Sequence, residues 1–255
     1  MPFTPTRSLV TGASSGIGAA FARALAERGS DLVLVARRED RLRALAEELT
    51  SRHGIRVEVV PADLAEPGIG AQLRARTGPV DLLVNNAGFA THGPLADADP
   101  ERLEQEIDVD VRALVSLTRA YLPDQIAAGR GGLVNVASTA AFQPVPGMAV
   151  YGAAKAFVRS FTEAVWHEAR PHGVKVLSLS PGSTRTEFFD VVGTRSAAVG
   201  RFQTPETVAA IALRALDARR TGPGVVCGAA NATTAWLTRF MPRRLVIDVS
   251  ARMVR

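Results

Sequence analysis

The chain has 255 residues, of which 47% are hydrophobic, so it can bury a large core and is not a globally disordered protein. Its net charge is +5 at pH 7, but the arginines alternate with acids along the predicted helices, which is typical of solvated faces and argues against nucleic-acid binding. Cys227 is the only cysteine, which excludes an intrachain disulfide and favours a reducing compartment.

Seven short apolar, β-branched runs alternate with amphipathic stretches of helix length. The predicted strands are residues 8–11, 31–36, 56–61, 82–85, 132–137, 175–180 and 224–227. The predicted helices are residues 17–28, 40–52, 69–76, 100–128, 151–170 and 205–220. This alternation predicts a parallel sheet covered on both faces, and right-handed crossovers make it a doubly wound α/β fold. No linker or repeat divides the chain, so we predict a single domain over residues 1–255.

The segment after the first strand is rich in glycine and runs directly into a helix. Glycines in such a turn let a phosphate approach the backbone, and the helix N-terminus favours its negative charge. Ligands of doubly wound sheets bind beyond the carboxyl ends of the strands, so we predict a dinucleotide here. The predicted contacts are Gly12, Ser14, Ser15, Gly16, Ile17 and Gly18. The alternative is a glycine-rich turn without a ligand, which the strand before it and the helix after it disfavour.

Two arginines, Arg37 and Arg38, follow the second strand, where NAD-binding proteins of this design carry an acid for the ribose 2′-hydroxyl. A guanidinium fork suits a 2′-phosphate, so the pair predicts NADP(H), with Arg37 as the main ligand and Arg38 in support. The alternative is two solvated arginines at a helix start, a position that the helix dipole disfavours for a cation.

Three further loops at the same edge of the sheet are predicted to contact the cofactor. Asp63 and Leu64 follow the third strand, and Asp63 either accepts a hydrogen bond from the adenine amino group or caps a turn; the residues alone leave both open. Small residues in the other two loops let a flat cofactor lie against the backbone, although ordinary turns are the alternative. These residues are Asn86, Ala87, Gly88, Pro181, Gly182, Thr184 and Thr186.

A serine, a tyrosine and a lysine predict the chemistry of the site. Ser138 ends the fifth strand, and Tyr151 and Lys155 are four residues apart on the next helix, so their side chains share one face. An ammonium beside a phenol lowers the pKa of the phenol, which suits Tyr151 as general acid or base toward a carbonyl or alcohol oxygen. Ser138 is predicted to hydrogen-bond the same oxygen. The tyrosine–lysine spacing alone also fits an ordinary helix surface.

In chain order, these motifs resemble the short-chain dehydrogenase/reductase family over nearly the whole chain: TGASSGIG, Asp63, NNAG, Ser138, the Tyr151/Lys155 pair and the Pro181-Gly182 turn. The resemblance implies a nicotinamide cofactor, a seven-stranded Rossmann-type sheet and a homodimer or homotetramer. It also implies a proton relay in which an asparagine of the long fourth helix holds a water that links the lysine to solvent. Asp110 stands at that position, so we include it among the catalytic residues and leave its effect on the relay open.

Together these features predict an NADP(H)-dependent oxidoreductase that transfers a hydride to or from the carbonyl or alcohol carbon of an apolar substrate. The pocket is predicted from residues 89–95, 140–149 and 187–202, with 187–202 as a substrate loop. Its apolar side chains are Phe89, Phe142, Val145, Met148, Phe188, Phe189 and Phe202. The alternative is a regulatory protein that binds the cofactor without turnover, which only Asp110 favours.

The remaining expectations concern the location of the protein, metal binding and the C-terminal extension. The sequence contains neither an 18-residue apolar run nor a signal-peptide pattern, so we expect a cytoplasmic protein without a membrane span. Its four histidines have no ligand partners at useful spacing, so no metal site is expected. The C-terminal extension, residues 231–255, mixes apolar residues with arginines. We favour packing on the domain, on a subunit or over the substrate pocket rather than on a membrane, because Pro242 interrupts any continuous amphipathic helix.

Overall fold

The computed structural model describes residues 2–194 and 200–253. Its centre is a seven-stranded sheet in the order β3-β2-β1-β4-β5-β6-β7, and all neighbouring strands are parallel. The strands are β1 Arg7–Thr11, β2 Asp31–Ala36, β3 Val57–Pro61, β4 Leu82–Asn85, β5 Gly131–Val136, β6 Val174–Ser180 and β7 Gly224–Val226. The predicted doubly wound sheet is confirmed, and each strand lies within one residue of its predicted bounds.

Helices cover both faces of this sheet. Within the described residues they are α1 Gly16–Glu27, α2 Glu39–His53, α3 Ile69–Thr77, α4 Pro100–Ile107, α5 Leu114–Ala127, α6 Ala149–Ala169, α7 Phe188–Val192, α8 Pro205–Asp217, α9 Ala229–Leu237 and α10 Arg243–Met253. Five residues of the predicted substrate loop, 195–199, and the last two of the C-terminal extension lie outside the described part of the chain.

The core consists of two apolar layers, one on each face of the sheet. On one face, Phe21 of α1, Leu42 of α2 and Leu213 of α8 are buried in a single cluster. On the other, residues of α3, α5 and α6 form the second cluster, with Leu117 and Val176 among its members. The central strands contribute to both layers because successive side chains point to opposite faces, which explains why they are predominantly apolar.

The connection between β4 and β5 differs from the single helix predicted over residues 100–128. A π-helical turn, Asp108–Ala113, separates α4 from α5. A π turn contains one residue more than an α turn and changes which side chains face the core. Here Ile107 is 46% exposed, whereas the acids Glu106 and Asp110 are buried. Helical periodicity predicts the opposite arrangement.

Strand β1 lies between β2 and β4, so the winding of the sheet reverses at the β1–β4 boundary. Ligands of open α/β sheets bind in the crevice beyond the carboxyl ends of the strands at such a reversal. The glycine-rich loop leaves β1 at this point, and the Asn85-Asn86-Ala87-Gly88 turn leaves β4 beside it. The topology therefore brings the predicted cofactor loops together.

Candidate active site

The glycine-rich loop packs directly on the turn that follows β4. Gly12 and Gly16 have φ values of +65° and +54°, which favour glycine, and a Cβ on Gly18 would lie 2.3 Å from the carbonyl oxygen of Gly12. A Cβ on Gly12 would lie 2.8 Å from Nδ2 of Asn86. The glycines thus allow α1 to begin close beneath the loop, at the place where a phosphate contacts helix N–H groups.

Hydrogen bonds between Thr11 and the Asn86 turn connect the glycine-rich loop to the turn after β4. The Thr11 hydroxyl oxygen accepts hydrogen bonds from the backbone N–H groups of Asn86 (2.9 Å) and Ala87 (3.1 Å). The Asn86 side chain donates to the Thr11 carbonyl at 2.9 Å. Asn86 was predicted to contact the cofactor, but its hydrogen bonds to Thr11 are sufficient to explain an asparagine at this position. Ser14, Ser15 and Ile17 are partly buried in the same loop.

The arginines after β2 differ in their surroundings. Arg38 extends over the glycine loop and donates to the hydroxyls of Ser14 (3.0 Å) and Ser15 (2.9 Å). Its guanidinium also pairs with the carboxylate of Glu187 at 2.7 Å, and Arg41 pairs with the second oxygen of Glu187 at 2.5 Å. Within residues 2–194 and 200–253, exposed Arg37 forms no recorded hydrogen bond or ion pair. Arg38 is the arginine that lies beside the predicted phosphate site.

Asp63, in the loop after β3, caps a turn, which is one of the two roles predicted for it. Oδ1 of Asp63 accepts a hydrogen bond from the backbone N–H of Ala65 at 2.9 Å. The side chain of Leu64 is buried, 7% exposed, in the second apolar cluster. Asp63 thus shapes the turn, and contact with adenine remains a prediction for its second oxygen.

The turn after β6 carries the four residues predicted from its sequence. Pro181 and Thr184 are buried, and the Thr184 hydroxyl donates to the Gly182 carbonyl at 2.9 Å. Gly182 lies against the side chain of Asn231, because a Cβ there would be 2.4 Å from Nδ2. Thr186 reaches the glycine loop, since its Cγ2 lies 2.8 Å from a Cβ placed on Gly16.

A groove of ≈ 570 Å³ lies between the glycine loop and the β6 loop. Its lining residues are Ser15, Gly16, Arg185, Thr186, Glu187, Phe189, Asp190 and Phe202. The groove has a helix N-terminus, backbone exposed by glycine and Arg185 in its lining, and Arg38 and Arg41 pair with the Glu187 that lines it. Such groups suit a dinucleotide diphosphate. The residues present therefore fit a nicotinamide dinucleotide.

Ser138, Tyr151 and Lys155 lie together beyond the end of β5, as their spacing predicts. The Ser138 side chain lies near enough to the Tyr151 phenol to lower its pKa, and its hydroxyl oxygen accepts a hydrogen bond from the backbone N–H of Ala140 at 3.1 Å. The Lys155 ammonium lies 5.6 Å from the centroid of the Tyr151 ring. It donates to the Val136 carbonyl at 3.3 Å, which fixes it at the end of β5.

Asp110 faces Lys155 directly. Its Oδ2 lies 3.0 Å from the Lys155 ammonium, and its Oδ1 accepts from the backbone N–H of Phe89 at 3.1 Å. Gly88 makes room for this pair, because a Cβ there would lie 2.6 Å from Oδ1 of Asp110 and 3.1 Å from the ammonium. The glycine was predicted to give a flat cofactor access to the backbone, and the structure adds a second reason for its small size.

Apolar side chains border the phenol. The Tyr151 ring lies 5.4 Å from the ring of Phe188, centroid to centroid. Phe188 contacts Phe189, which in turn contacts Phe202, with ring centroids 5.4 Å and 5.5 Å apart. Val145 and Met148 are buried in the same small cluster as Tyr151. Phe89 and Phe142 instead lie beneath the guanidinium groups of Arg102 and Arg159.

A family model described as short chain dehydrogenase matches residues 7–196. The chain belongs to the short-chain dehydrogenase family. The predicted family, its Rossmann-type sheet and its oxidoreductase class are thereby confirmed. The finding also accounts for the order of the glycine loop, the serine and the tyrosine–lysine pair along the chain.

Relatives of known sequence and structure support this assignment. The chain is 41% identical over 186 residues to sulfoacetaldehyde reductase 2 of Chromohalobacter salexigens, covering 71% of this chain and 73% of that protein. It is 40% identical over 187 residues to a short chain dehydrogenase of Pseudocercospora fijiensis, covering 71% of this chain but only 60% of the longer fungal relative. A short-chain dehydrogenase from Sphingobium yanoikuyae, solved in complex with NADPH, superimposes with a TM-score of 0.82 at 35% identity, covering 92% and 93% of the two chains.

The charges at this short-chain dehydrogenase site partly correct the expectation for Tyr151. Burial raises the pKa of Tyr151 above its ordinary value. Lys155 and Ser138 act in the opposite direction, as predicted, while Asp110 raises the pKa further. The net shift of the pKa is upward because the free energy lost when the phenolate is removed from water exceeds its stabilisation by one neighbouring ammonium. Burial lowers the pKa of Lys155, but Asp110 and Tyr151 raise it to a net value above the ordinary one.

Several polar residues of the site were not identified from the sequence. Glu106 is fully buried one helical turn before Asp110, and their spacing of four residues was the available signal. Asn85 and Asn135 connect β4, β5, α5 and α6 through buried hydrogen bonds to each other and to Thr118 and Thr162. Such a network fixes the ends of the strands that carry the catalytic residues.

Among the described residues, no group of three or more histidine, cysteine, aspartate or glutamate side chains could hold a metal ion. Over the same part of the chain, no helix is both long and apolar enough to cross a membrane.

Proposed function

We propose that this short-chain dehydrogenase transfers a hydride between NADP(H) and the carbonyl or alcohol carbon of an apolar small molecule. The observation that carries the proposal is the position of the Tyr151 ring 5.6 Å from the ammonium of Lys155, with Ser138 close enough to lower the pKa of the phenol. A phenol in this setting exchanges a proton with a substrate oxygen, which is the proton transfer that carbonyl reduction or alcohol oxidation requires.

Tyr151, Lys155 and Ser138 have different roles in the reaction. In reduction, Tyr151 gives its proton to the substrate oxygen, and the nearby ammonium of Lys155 stabilises the phenolate that remains. The Ser138 hydroxyl donates to the same oxygen and helps to orient it. The nicotinamide supplies or accepts the hydride when it is bound. Alcohol oxidation uses the same groups in reverse, with the Tyr151 phenolate as the base.

The cofactor is NADP(H), and Arg38 is the residue best placed for its 2′-phosphate. Arg38 lies over Ser14 and Ser15 of the glycine loop, and no acid stands at the end of β2. A 2′-phosphate would replace the Glu187 carboxylate as the anion that Arg38 contacts. Arg37, one residue earlier, supplies positive charge at greater exposure.

The apolar surroundings of Tyr151 set the substrate class. Phe188, Val145 and Met148 belong to the cluster around the phenol, so a substrate oxygen that reaches Tyr151 brings its carbon skeleton against apolar side chains. We propose a ketone or secondary alcohol with an apolar body. A regulatory protein without turnover is the alternative, and the intact proton-transfer group disfavours it.

The test is a screen of apolar ketones and alcohols in which the absorbance of NADPH is followed. With a substrate in hand, Tyr151→Phe should retain the fold and NADPH binding but lose about 10²- to 10⁴-fold in turnover, because it removes only the transferred proton. Lys155→Ala should lower both turnover and NADPH affinity. The matched control is Tyr121→Phe, which changes the only other tyrosine, in the core beside Thr77. Near-normal turnover in Tyr151→Phe would remove this residue from the mechanism.

A further inference from the structure

Two acids and one lysine share a buried position behind Tyr151. Glu106 is 0% exposed, Asp110 is 1% exposed and Lys155 is 5% exposed. If both acids were ionised, two negative charges would face one positive charge away from water. Burying an uncompensated charge is costly, and groups in this situation change protonation instead.

The charged partner distinguishes the two acids, because one oxygen of each acid lacks a hydrogen bond among the described residues and only Asp110 forms an ion pair. Asp110 has the Lys155 ammonium at 3.0 Å and the backbone N–H of Phe89 at 3.1 Å. Glu106 accepts one hydrogen bond, from the neutral backbone N–H of Thr91 at 2.8 Å, and its other oxygen has no hydrogen-bonding partner among the described residues. The ionised form is therefore better supported at Asp110 than at Glu106.

We propose that Glu106 and Asp110 form a carboxyl pair that keeps one proton, carried by Glu106, so that a single negative charge faces Lys155. The spacing of four residues places both acids on one face of the helix, and this face is buried while Ile107 between them faces solvent. Where its effect on Tyr151 is concerned, the inference rests on the proposed function; the protonation itself does not.

The charged groups around Glu106 agree with this assignment. α4 packs against the π-helical turn, which supplies Asp110, and against α6, which supplies Lys155. Burial raises the pKa of Glu106, Asp110 raises it further, and the more distant Lys155 lowers it without reversing the shift. The loop after β4 contributes the side chain and the backbone N–H of Thr91, which lower the pKa of Glu106 without reversing the shift.

The pair acts on the reaction through charge. An ionised Glu106 would raise the pKa of Tyr151, as Asp110 already does. A proton on Glu106 removes that contribution and leaves the phenol as acidic as Asp110 and burial allow. Glu106 is thus a positioning residue that sets the charge at the Lys155–Tyr151 pair without touching the substrate.

Infrared difference spectroscopy tests the proton directly and needs neither cofactor nor substrate. At pH 7 the protein should show the C=O stretch of a protonated carboxyl, which Glu106→Gln removes and the exposed control Glu104→Gln retains. Asp110→Asn should also remove it, because Glu106 is then the only carboxyl left for the Lys155 ammonium and gives up its proton. Glu106 is ionised, and the proposal is overturned, if the band is missing from the unmodified protein. Persistence of the band in Asp110→Asn would show that no proton is shared.

Tyrosinate absorbance gives a second readout that does not depend on the band. The chain has two tyrosines, so the difference between a parent protein and its Tyr151→Phe derivative isolates the titration of Tyr151. Glu106→Gln should move this titration to lower pH, because the parent protein ionises Glu106 before Tyr151. An unmoved titration would contradict the coupling, whereas absence of turnover with every carbonyl would contradict only the proposed function.

Discussion

The pKa of Tyr151 depends on burial and on four side chains, of which Lys155, Ser138 and Asp110 have larger effects than Glu106. Desolvation favours the neutral phenol, Lys155 and Ser138 favour the phenolate, and Asp110 opposes them. These groups come from β5, the π-helical turn and α6 itself, so the acidity of one residue depends on the packing of several elements. The oxidation direction, which needs the phenolate, is the more sensitive to this balance.

Asp110→Asn tests the contribution of one charge to that balance. Asp110 raises the pKa of Tyr151 more than Glu106 does, so its removal lowers this pKa and increases the fraction of phenolate at a given pH even when Glu106 takes over the negative charge. We expect the pH profile of kcat for alcohol oxidation to move to lower pH in the variant. Superimposable profiles would show that Asp110 is a bystander, and a rate gain at every pH would indicate an impaired relay in the natural protein.

The two arginines after β2 are matched controls for each other. A charge-assisted contact to a phosphate contributes roughly 1.5–3 kcal/mol, so Arg38→Ala should weaken NADPH binding about tenfold or more. NADH binding should change little, because NADH lacks the 2′-phosphate. Arg37→Ala should have the smaller effect, since Arg37 does not reach the glycine loop. Fluorescence titration with NADPH and NADH measures these affinities. A larger loss of NADPH affinity in Arg37→Ala than in Arg38→Ala would identify Arg37 as the main ligand.

At the scale of elements, a single acid, Glu187, connects the segment after β6 to the start of α2 across the cofactor groove. Glu187 precedes α7 and bridges Arg38 and Arg41 across the groove from α2. The two arginines lower the pKa of Glu187 to about 2, so the bridge stays charged at any pH at which the protein is assayed. A 2′-phosphate and Glu187 thus compete for the same guanidinium.

Glu187→Gln should therefore strengthen NADPH binding relative to NADH. Exposed ion pairs contribute roughly 0.2–1 kcal/mol, so we expect a gain of about 1.4- to fivefold, equal at pH 6 and pH 8. Asp190→Asn is the control, because Asp190 lines the same groove on α7. Equal losses for NADPH and NADH would indicate instead that Glu187 holds the loop over the bound cofactor.

At the scale of the whole molecule, the C-terminal helices leave apolar side chains in solvent. α9 packs beside β7 and the short helix Thr139–Phe142, whereas only Val246 and Ser250 of α10 are buried. The exposed side chains include Trp236, Leu237, Phe240, Met241, Leu245 and Met253. The predicted break at Pro242 is confirmed, since α9 ends at Leu237 and α10 begins at Arg243.

We expect this surface to be covered by a second subunit of a homodimer or homotetramer rather than by a membrane. Phe240, 70% exposed, is the largest contributor, so Phe240→Asp should shift the oligomer toward the monomer in light scattering after gel filtration. Leu95→Asp, at another exposed apolar position, should not. Clear co-flotation of the protein with anionic liposomes at physiological salt would reverse this expectation.

Local sequence determined the sheet, its cofactor loop and the catalytic trio. Apolar β-branched runs between amphipathic stretches specify buried parallel strands wherever they occur, and the glycines of the loop after β1 report a backbone that side chains would block. Tyr151 and Lys155 were predictable as a pair because residues four apart on a helix share a face. Each of these inferences depends only on neighbours in the chain.

Tertiary structure alone decided which charges meet. Glu106 became part of the site because α4 packs on α6 with Glu106 buried and Ile107 exposed, whereas the apolar periodicity of α4 predicts that Ile107 is buried. Arg38 rather than Arg37 reached the glycine loop, and Glu187 crossed the groove to meet it, at sequence separations of 24 and 149 residues. Burial and ion pairing depend on elements far apart in the chain, so the direction of the Tyr151 pKa shift was determined by the folded protein and not by the spacing of its residues.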